Sequence, residues 1–246
     1  MFMERIISYP ITLIYYLVFG LLLVIFHPIQ YICLNVFGYQ AHKKSVDYLN
    51  FGLLSATRIL GTRYTVEGLE NVPKGVPVIF VANHQSMYDI ITIIWYFRKA
   101  HPKFVSKKEL GKGIPSVSFN LRHGGSVLID RKDPKQAIPA IQKLGKYIEA
   151  NNRAAVIFPE GTRSKTGIPK PFQQTGLKIL FKTAPSAYVV PISINNSWTI
   201  VKFGFFPAGL GNRLIFTAHK ALKVSDFEVD DLLAKTEAAV VSALKY

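Results

Sequence analysis

The chain has 246 residues, 49% of them hydrophobic, with 30 Lys and Arg against 15 Asp and Glu and a formal net charge of +15. That length and apolar content allow a sizeable buried core, and the single cysteine, Cys33, excludes an intrachain disulfide and any cysteine-rich zinc site. Cys33 also lies in an apolar stretch far in sequence from His84, which favours a small buried hydrophobe over a Cys-His nucleophile. Five of the acids, Asp226, Glu228, Asp230, Asp231 and Glu237, gather near the C-terminus. The preceding chain is therefore more basic still, with a field that attracts phosphate in lipid, nucleic acid or phosphorylated metabolites.

Residues 6–26 contain no charge, and as a helix they extend for ~31 Å, about the hydrocarbon thickness of a bilayer. A cleaved signal peptide has a shorter apolar core ending in small residues, whereas here apolar character resumes after His27-Pro28 and continues to Phe37, so a retained membrane segment is expected. His27-Pro28 is expected to kink or end the first helix, because proline lacks an N–H and clashes with the preceding turn. A second helix is expected over 43–60. The pair either spans the bilayer or lies bent within one leaflet, with His27 and His42 at the interface or in solvent.

From residue 63 onward, short apolar runs alternate with amphipathic stretches. Strands are expected at 76–82, 103–106, 126–130, 154–158, 187–193 and 214–218. Helices are expected at 90–99, 133–150, 172–183 and 226–244, the last with acids in its first turns to suit the helix dipole. The expected class is α/β, with a mixed, mostly parallel sheet flanked by helices and preceded by a membrane-embedded helical hairpin. The hairpin would occupy 1–62 and the α/β domain 63–246.

The unusual polar residues fall at strand ends. His84 follows the first strand, Lys107 and Lys108 the second, Arg131 the third, and Glu160-Gly161-Thr162-Arg163-Ser164 the fourth. In α/β sheets the ligand crevice lies outside the carboxyl ends of the strands, so these segments deliver a base, several cations, a carboxylate and a glycine turn to one edge. Asp89, five residues after His84, can hold the imidazole as a base for proton transfer from a hydroxyl, which points to acyl or phosphoryl transfer. The alternative is a capping box, Ser86-x-x-Asp89, in which Asp89 only receives backbone N–H groups. Arg131 and Arg163 suit phosphate, which a guanidinium fork grips at two oxygens. Glu160 either accepts a hydrogen bond from a glycerol hydroxyl or pairs with an arginine.

Five blocks in order, Asn83-His84 to Asp89, Lys107-Lys108-Glu109-Leu110, residues 125–131, Phe158-Pro159-Glu160-Gly161-Thr162-Arg163-Ser164 and Val190-Pro191-Ile192-Ser193-Ile194, resemble the glycerolipid acyltransferases. Within that family they are most similar to the 1-acylglycerol-3-phosphate (lysophosphatidic acid) acyltransferases. The resemblance implies a membrane enzyme that moves a fatty acyl chain from acyl-CoA or acyl carrier protein to the sn-2 hydroxyl of lysophosphatidic acid. The product is phosphatidic acid for phospholipid synthesis. It further implies a cytoplasmic-membrane location with the site on the cytoplasmic side. His84 would be the base and Asp89 its orienting partner. Lys107, Arg131, Glu160, Gly161, Thr162, Arg163 and Ser164 would hold the glycerol phosphate, with no metal or other cofactor. Pro171-Phe172-Gln173-Gln174-Thr175-Gly176 departs from the family's Pro-Phe-Lys-x-Gly, losing a lysine and gaining a residue, which opens the alternative of another head group such as an aminoacyl lipid. Two rivals from other classes are a catalytically idle membrane scaffold and a basic nucleic-acid-binding protein. The long apolar N-terminus and the absence of a recognised nucleic-acid module argue against the second.

Overall fold

Residues 78–82, all apolar and all buried, form β2 (Val78–Ala82) at the centre of the sheet. The computed structural model describes residues 2–245 and surrounds β2 with β1 (Arg63–Glu67), β3 (Pro102–Lys107), β4 (Val127–Ile129), β5 (Ala154–Ile157), β6 (Tyr188–Asn195), β7 (Arg213–Ala218) and β8 (Leu222–Lys223). The order is β1-β7-β6-β2-β5-β3-β4, with β8 pairing with β6. The block from β6 to β4 is parallel throughout, whereas β7 and β8 each run antiparallel to β6 and β1 runs parallel to β7. The expected mixed, mostly parallel α/β sheet is what forms.

Strand periodicity divides the core. Val78, Phe80 and Ala82 of β2 face one apolar cluster and Ile79 and Val81 the other, so the strand is covered on both faces. The first cluster packs under α1 (Phe2–Ala56) and α2 (Tyr88–Tyr96), through residues such as Tyr15, Leu53 and Ile93. The second packs under α4 (Pro134–Asn151), α5 (Gln174–Thr183) and α6 (Val229–Ser242), through Leu144, Leu180 and Leu232. Ile79 and Phe80 are fully buried, each worth about 1.5–3 kcal/mol of transfer free energy. A short helix, α3 (Val117–His123), was not expected and packs against α1.

The N-terminal segment breaks elsewhere than at His27-Pro28. Pro10 and Pro28 both lie inside α1, and the non-helical residue is Gly38, at φ 79° and ψ −177°. The helix continues past Pro28, and Ser116 packs beside that turn: its hydroxyl donates to the Leu23 carbonyl at 2.6 Å, and its N–H donates to His27 Nδ1 at 3.1 Å. Gly38 instead takes the positive φ that a side chain disfavours, and the chain reverses there. The two arms, 2–37 and 39–56, pack back to back, with Gly52 so close to Leu22 that an added Cβ would touch its methyls at 3.4 Å. The second arm thus starts earlier than position 43.

The first arm of α1 is inverted relative to an ordinary surface helix. Ser8, Thr12 and Gln30 face inward and are buried, while Ile6, Leu13, Leu17, Leu21 and Ile32 face outward and are exposed. This helix is long and apolar enough to cross a membrane. His42, expected at the interface or in solvent, is instead buried against Phe119. Cys33 is half-buried and free.

Candidate active site

His84 lies two residues past the end of β2, and strand parity carries it to the face occupied by α1 and α2. Phe158, just past the end of β5, falls on the same face, and its ring stacks on the imidazole with centroids 4.0 Å apart and planes 17° from parallel. The stack fixes the ring plane. Asn83 locks the strand exit, since its amide donates to the Ile194 carbonyl at 2.8 Å and accepts from the Ile194 N–H at 2.7 Å.

Asp89, fully buried in the first turn of α2, gathers the loop around itself. Its Oδ2 accepts from His84 Nδ1 at 2.8 Å and from the N–H groups of Gln85 and Ser86 at 2.7 and 2.9 Å. Oδ1 accepts from the Ser197 hydroxyl. Asp89 therefore both receives backbone N–H groups and holds the imidazole. With Nδ1 donating to the carboxylate, the lone pair of the neutral ring sits on Nε2, and Arg163 Nε lies 3.4 Å from that atom.

The loop after β5 is stitched to His84. Ser164 N–H donates to the His84 carbonyl at 2.7 Å, and the His84 N–H donates to Glu160 Oε1 at 2.8 Å. Glu160 Oε2 accepts from Lys170 N–H at 2.9 Å. Both oxygens of Glu160 thus accept from backbone donors, one each, which ties the loop to His84. Burial pushes its pKa up, and the two backbone donors partly offset that. Ser164 is likewise buried and tied to the loop.

Arg131 reaches over to donate to the Gly161 carbonyl, and Gly161 holds a φ of 66° that lets the turn fold back. Burial and then the neighbouring Arg163 pull the Arg131 pKa below its ordinary value, so two guanidinium groups share the edge. Thr162 is exposed on the same turn, and Lys107 is exposed at the end of β3. Lys108 points to Asp130 at 2.5 Å. His84, Arg131, Arg163 and the loop 160–164 converge as expected. Beside them, a cavity of about 240 Å³ is lined by Val105, Ile129, Ile138, Ile157 and Ile179, with Arg131 and Gly161 also on its wall.

Sequence reasoning missed Ser197 and Gln85. Gln85 Oε1 accepts from the Ser197 N–H at 2.9 Å, which seats Ser197 against Asp89. The usable signal was the polar run Asn195-Asn196-Ser197 at the carboxyl end of another buried strand.

A central strand exit bearing His-x4-Asp, with an arginine-bearing glycine turn from the next strand, defines a family here. Residues 63–195 match the Acyltransferase family model, and the chain belongs to that family. Its fold superposes on the crystal structure of the 1-acyl-sn-glycerophosphate (LPA) acyltransferase PlsC from Thermotoga maritima with a TM-score of 0.77 and 26% identity, covering 94% of this chain and 91% of that one. It is 29% identical over 189 residues to a 1-acyl-sn-glycerol-3-phosphate acyltransferase of Borreliella burgdorferi, over 76% of this chain and 74% of that protein. The Helicobacter pylori enzyme of the same name is 39% identical over 145 residues, or 55% of this chain and 58% of that protein. The match spans only 39% of the longer chloroplastic relative from Brassica napus.

Proposed function

We propose that this protein transfers a fatty acyl chain from an acyl thioester to the sn-2 hydroxyl of 1-acylglycerol 3-phosphate. The observation that carries this reading is the placement of His84, whose Nδ1 lies 2.8 Å from Asp89 Oδ2 and whose Nε2 faces Arg163 Nε at 3.4 Å. The acceptor hydroxyl would displace Arg163 from Nε2 and lose its proton to that nitrogen as its oxygen attacks the thioester carbonyl carbon. The C–S bond then breaks, and the leaving thiolate takes up the proton, giving phosphatidic acid and a free thiol. Proton removal of this kind contributes ~10²–10⁴ in rate.

Arg131 and Arg163, with exposed Lys107, supply the cations for the acceptor phosphate, and anchoring it there fixes the hydroxyl near His84. Glu160 and Ser164 serve that site from behind, by holding the loop. The apolar cavity beside Arg131 suits an acyl chain, being walled by isoleucines and valine. The outward apolar face of α1 would lie in lipid and keep the site beside its membrane-held acceptor; we place the membrane segment at 1–62, the catalytic domain at 63–246 and the site on the cytoplasmic side. The acyl donor is acyl-CoA or acyl carrier protein; a basic surface suits either. The test is purified protein in vesicles, given each labelled thioester together with lysophosphatidic acid or lysolipids of other head groups. Phosphatidic acid as the dominant product is expected; no product with lysophosphatidic acid would overturn the reading.

A further inference from the structure

The loop between the turn at Ser197–Val201 and β7 carries three phenylalanines, Phe203, Phe205 and Phe206. Its foot is fixed: Pro207 and Ala208 are buried, and the Ala208 N–H donates to the Thr12 hydroxyl of α1 at 3.0 Å. Its tip is tied to the same arm, since the Tyr16 hydroxyl donates to the Phe205 carbonyl at 2.8 Å. Yet Phe205 is 64% and Phe206 50% exposed. A loop held at both points has no conformational reason to leave two aromatic rings in water.

The rings extend a surface that is already apolar. Phe206 packs edge-on against Tyr9 at 5.4 Å, and Tyr9 belongs to the outward face of α1 with Ile6 and Leu13. Around them stand the groups of a membrane–water boundary. Lys202 and Arg5 lie over the Phe203 ring at 5.0 and 5.9 Å, and Lys202 pairs with Glu4 at 2.6 Å. Aromatic rings beside snorkelling cations are the composition that favours the headgroup level of a bilayer, and the chain's net charge of +15 favours an anionic one.

We infer that the loop 203–207 is a second lipid-contact element, donated by the α/β domain, which inserts Phe205 and Phe206 into the interface of an anionic phospholipid bilayer beside the first arm of α1. The inference rests on the reading that α1 lies in lipid. It adds to that reading a contact on the catalytic side, because the same segment begins at Ser197, whose hydroxyl holds Asp89. The bilayer would then orient the site mouth as well as tether the protein.

The test uses the full chain with its only cysteine replaced, Cys33→Ala, and a single new cysteine labelled with an environment-sensitive fluorophore. In vesicles of phosphatidylcholine and phosphatidylglycerol carrying spin-labelled lipids, the probe at Phe205→Cys should be quenched, as should a control at Leu17→Cys on the outward face of α1. Quenching at 17 without quenching at 205 would overturn the loop contact and leave the α1 reading standing; quenching at neither would sink both. In a second measurement, Phe205→Ser/Phe206→Ser should lower the ratio of activity on a bilayer-embedded long-chain acceptor to activity on a dispersed short-chain acceptor by roughly tenfold, since two interfacial rings contribute to partitioning. An unchanged ratio would count against the inference.

Discussion

Around His84 the buried polar groups find partners inside the protein: Asp89 accepts from one side chain, two backbone N–H groups and a distant hydroxyl, and Glu160 spends both oxygens on the backbone. Along α1 the disposition is reversed. Leucines and isoleucines face outward, while inward-facing Gln30 and His42 are buried with side-chain nitrogens that lack a hydrogen-bond partner among the described residues. The difference separates two demands. Proton transfer needs a side chain fixed in one orientation, which a saturated hydrogen-bond network provides, whereas lipid contact needs only an apolar outer face and tolerates looser polar packing inside.

The largest effect that separates the two regions is expected from His84→Ala. Transfer should fall by ~10²–10⁴ while vesicle flotation stays unchanged. Retained activity would break the assignment of the proton acceptor, and lost flotation would break the separation of the two regions. Asp89→Asn should cost nearly as much activity. It should also destabilise the fold, because an amide nitrogen facing several donors leaves buried N–H groups unpaired at about 1–3 kcal/mol each; denaturant melts beside rate assays would show both losses. Glu160→Gln keeps one acceptor but turns an amide toward either His84 N–H or Lys170 N–H. Roughly tenfold lower activity is expected with a small loss of stability, read from the same two assays.

The smallest predicted effect lies at the opposite edge of the sheet. Burial first, then Arg153 and Lys43, pulls buried Lys103 at the start of β3 down to about 7. A depressed amine pKa disfavours the charged form in the fold, so the cost is complete below that value. It shrinks as pH rises through it, and disappears above the free-lysine value near ~10.4. Lys103→Met should therefore raise the melting temperature at pH ~6, with a smaller gain at pH ~9. A gain that grows with pH would contradict the burial account.

The central sheet was legible because β2, β5 and β6 are continuous apolar runs that can be covered on both faces. β1 was not, because Arg63–Glu67 alternates exposed and half-buried residues at the sheet edge and carries charge at both ends. The short helix α3 follows Ser116, held at a φ of 61° by its contacts with α1, a conformation that no local pattern announces. Pro28 misled because the helix runs through it, packed against Ser116 from a distant part of the chain, while the positive φ falls at Gly38. At the site, strand-end position was enough to gather His84, Arg131 and Arg163. It did not reveal that Glu160 braces the loop, nor that Ser197 reaches Asp89 across 108 positions, since both depend on tertiary register.

The most direct test of the central claim, one edge holding both a proton acceptor and a phosphate clamp, is acceptor discrimination. The ratio of kcat/KM for lysophosphatidic acid to that for a monoacylglycerol lacking the phosphate would be measured in the parent protein, Arg131→Ala and Arg163→Ala. Each arginine variant is expected to lower the ratio about tenfold or more, the size of a charge-assisted phosphate contact. A ratio unchanged in both variants would contradict the account.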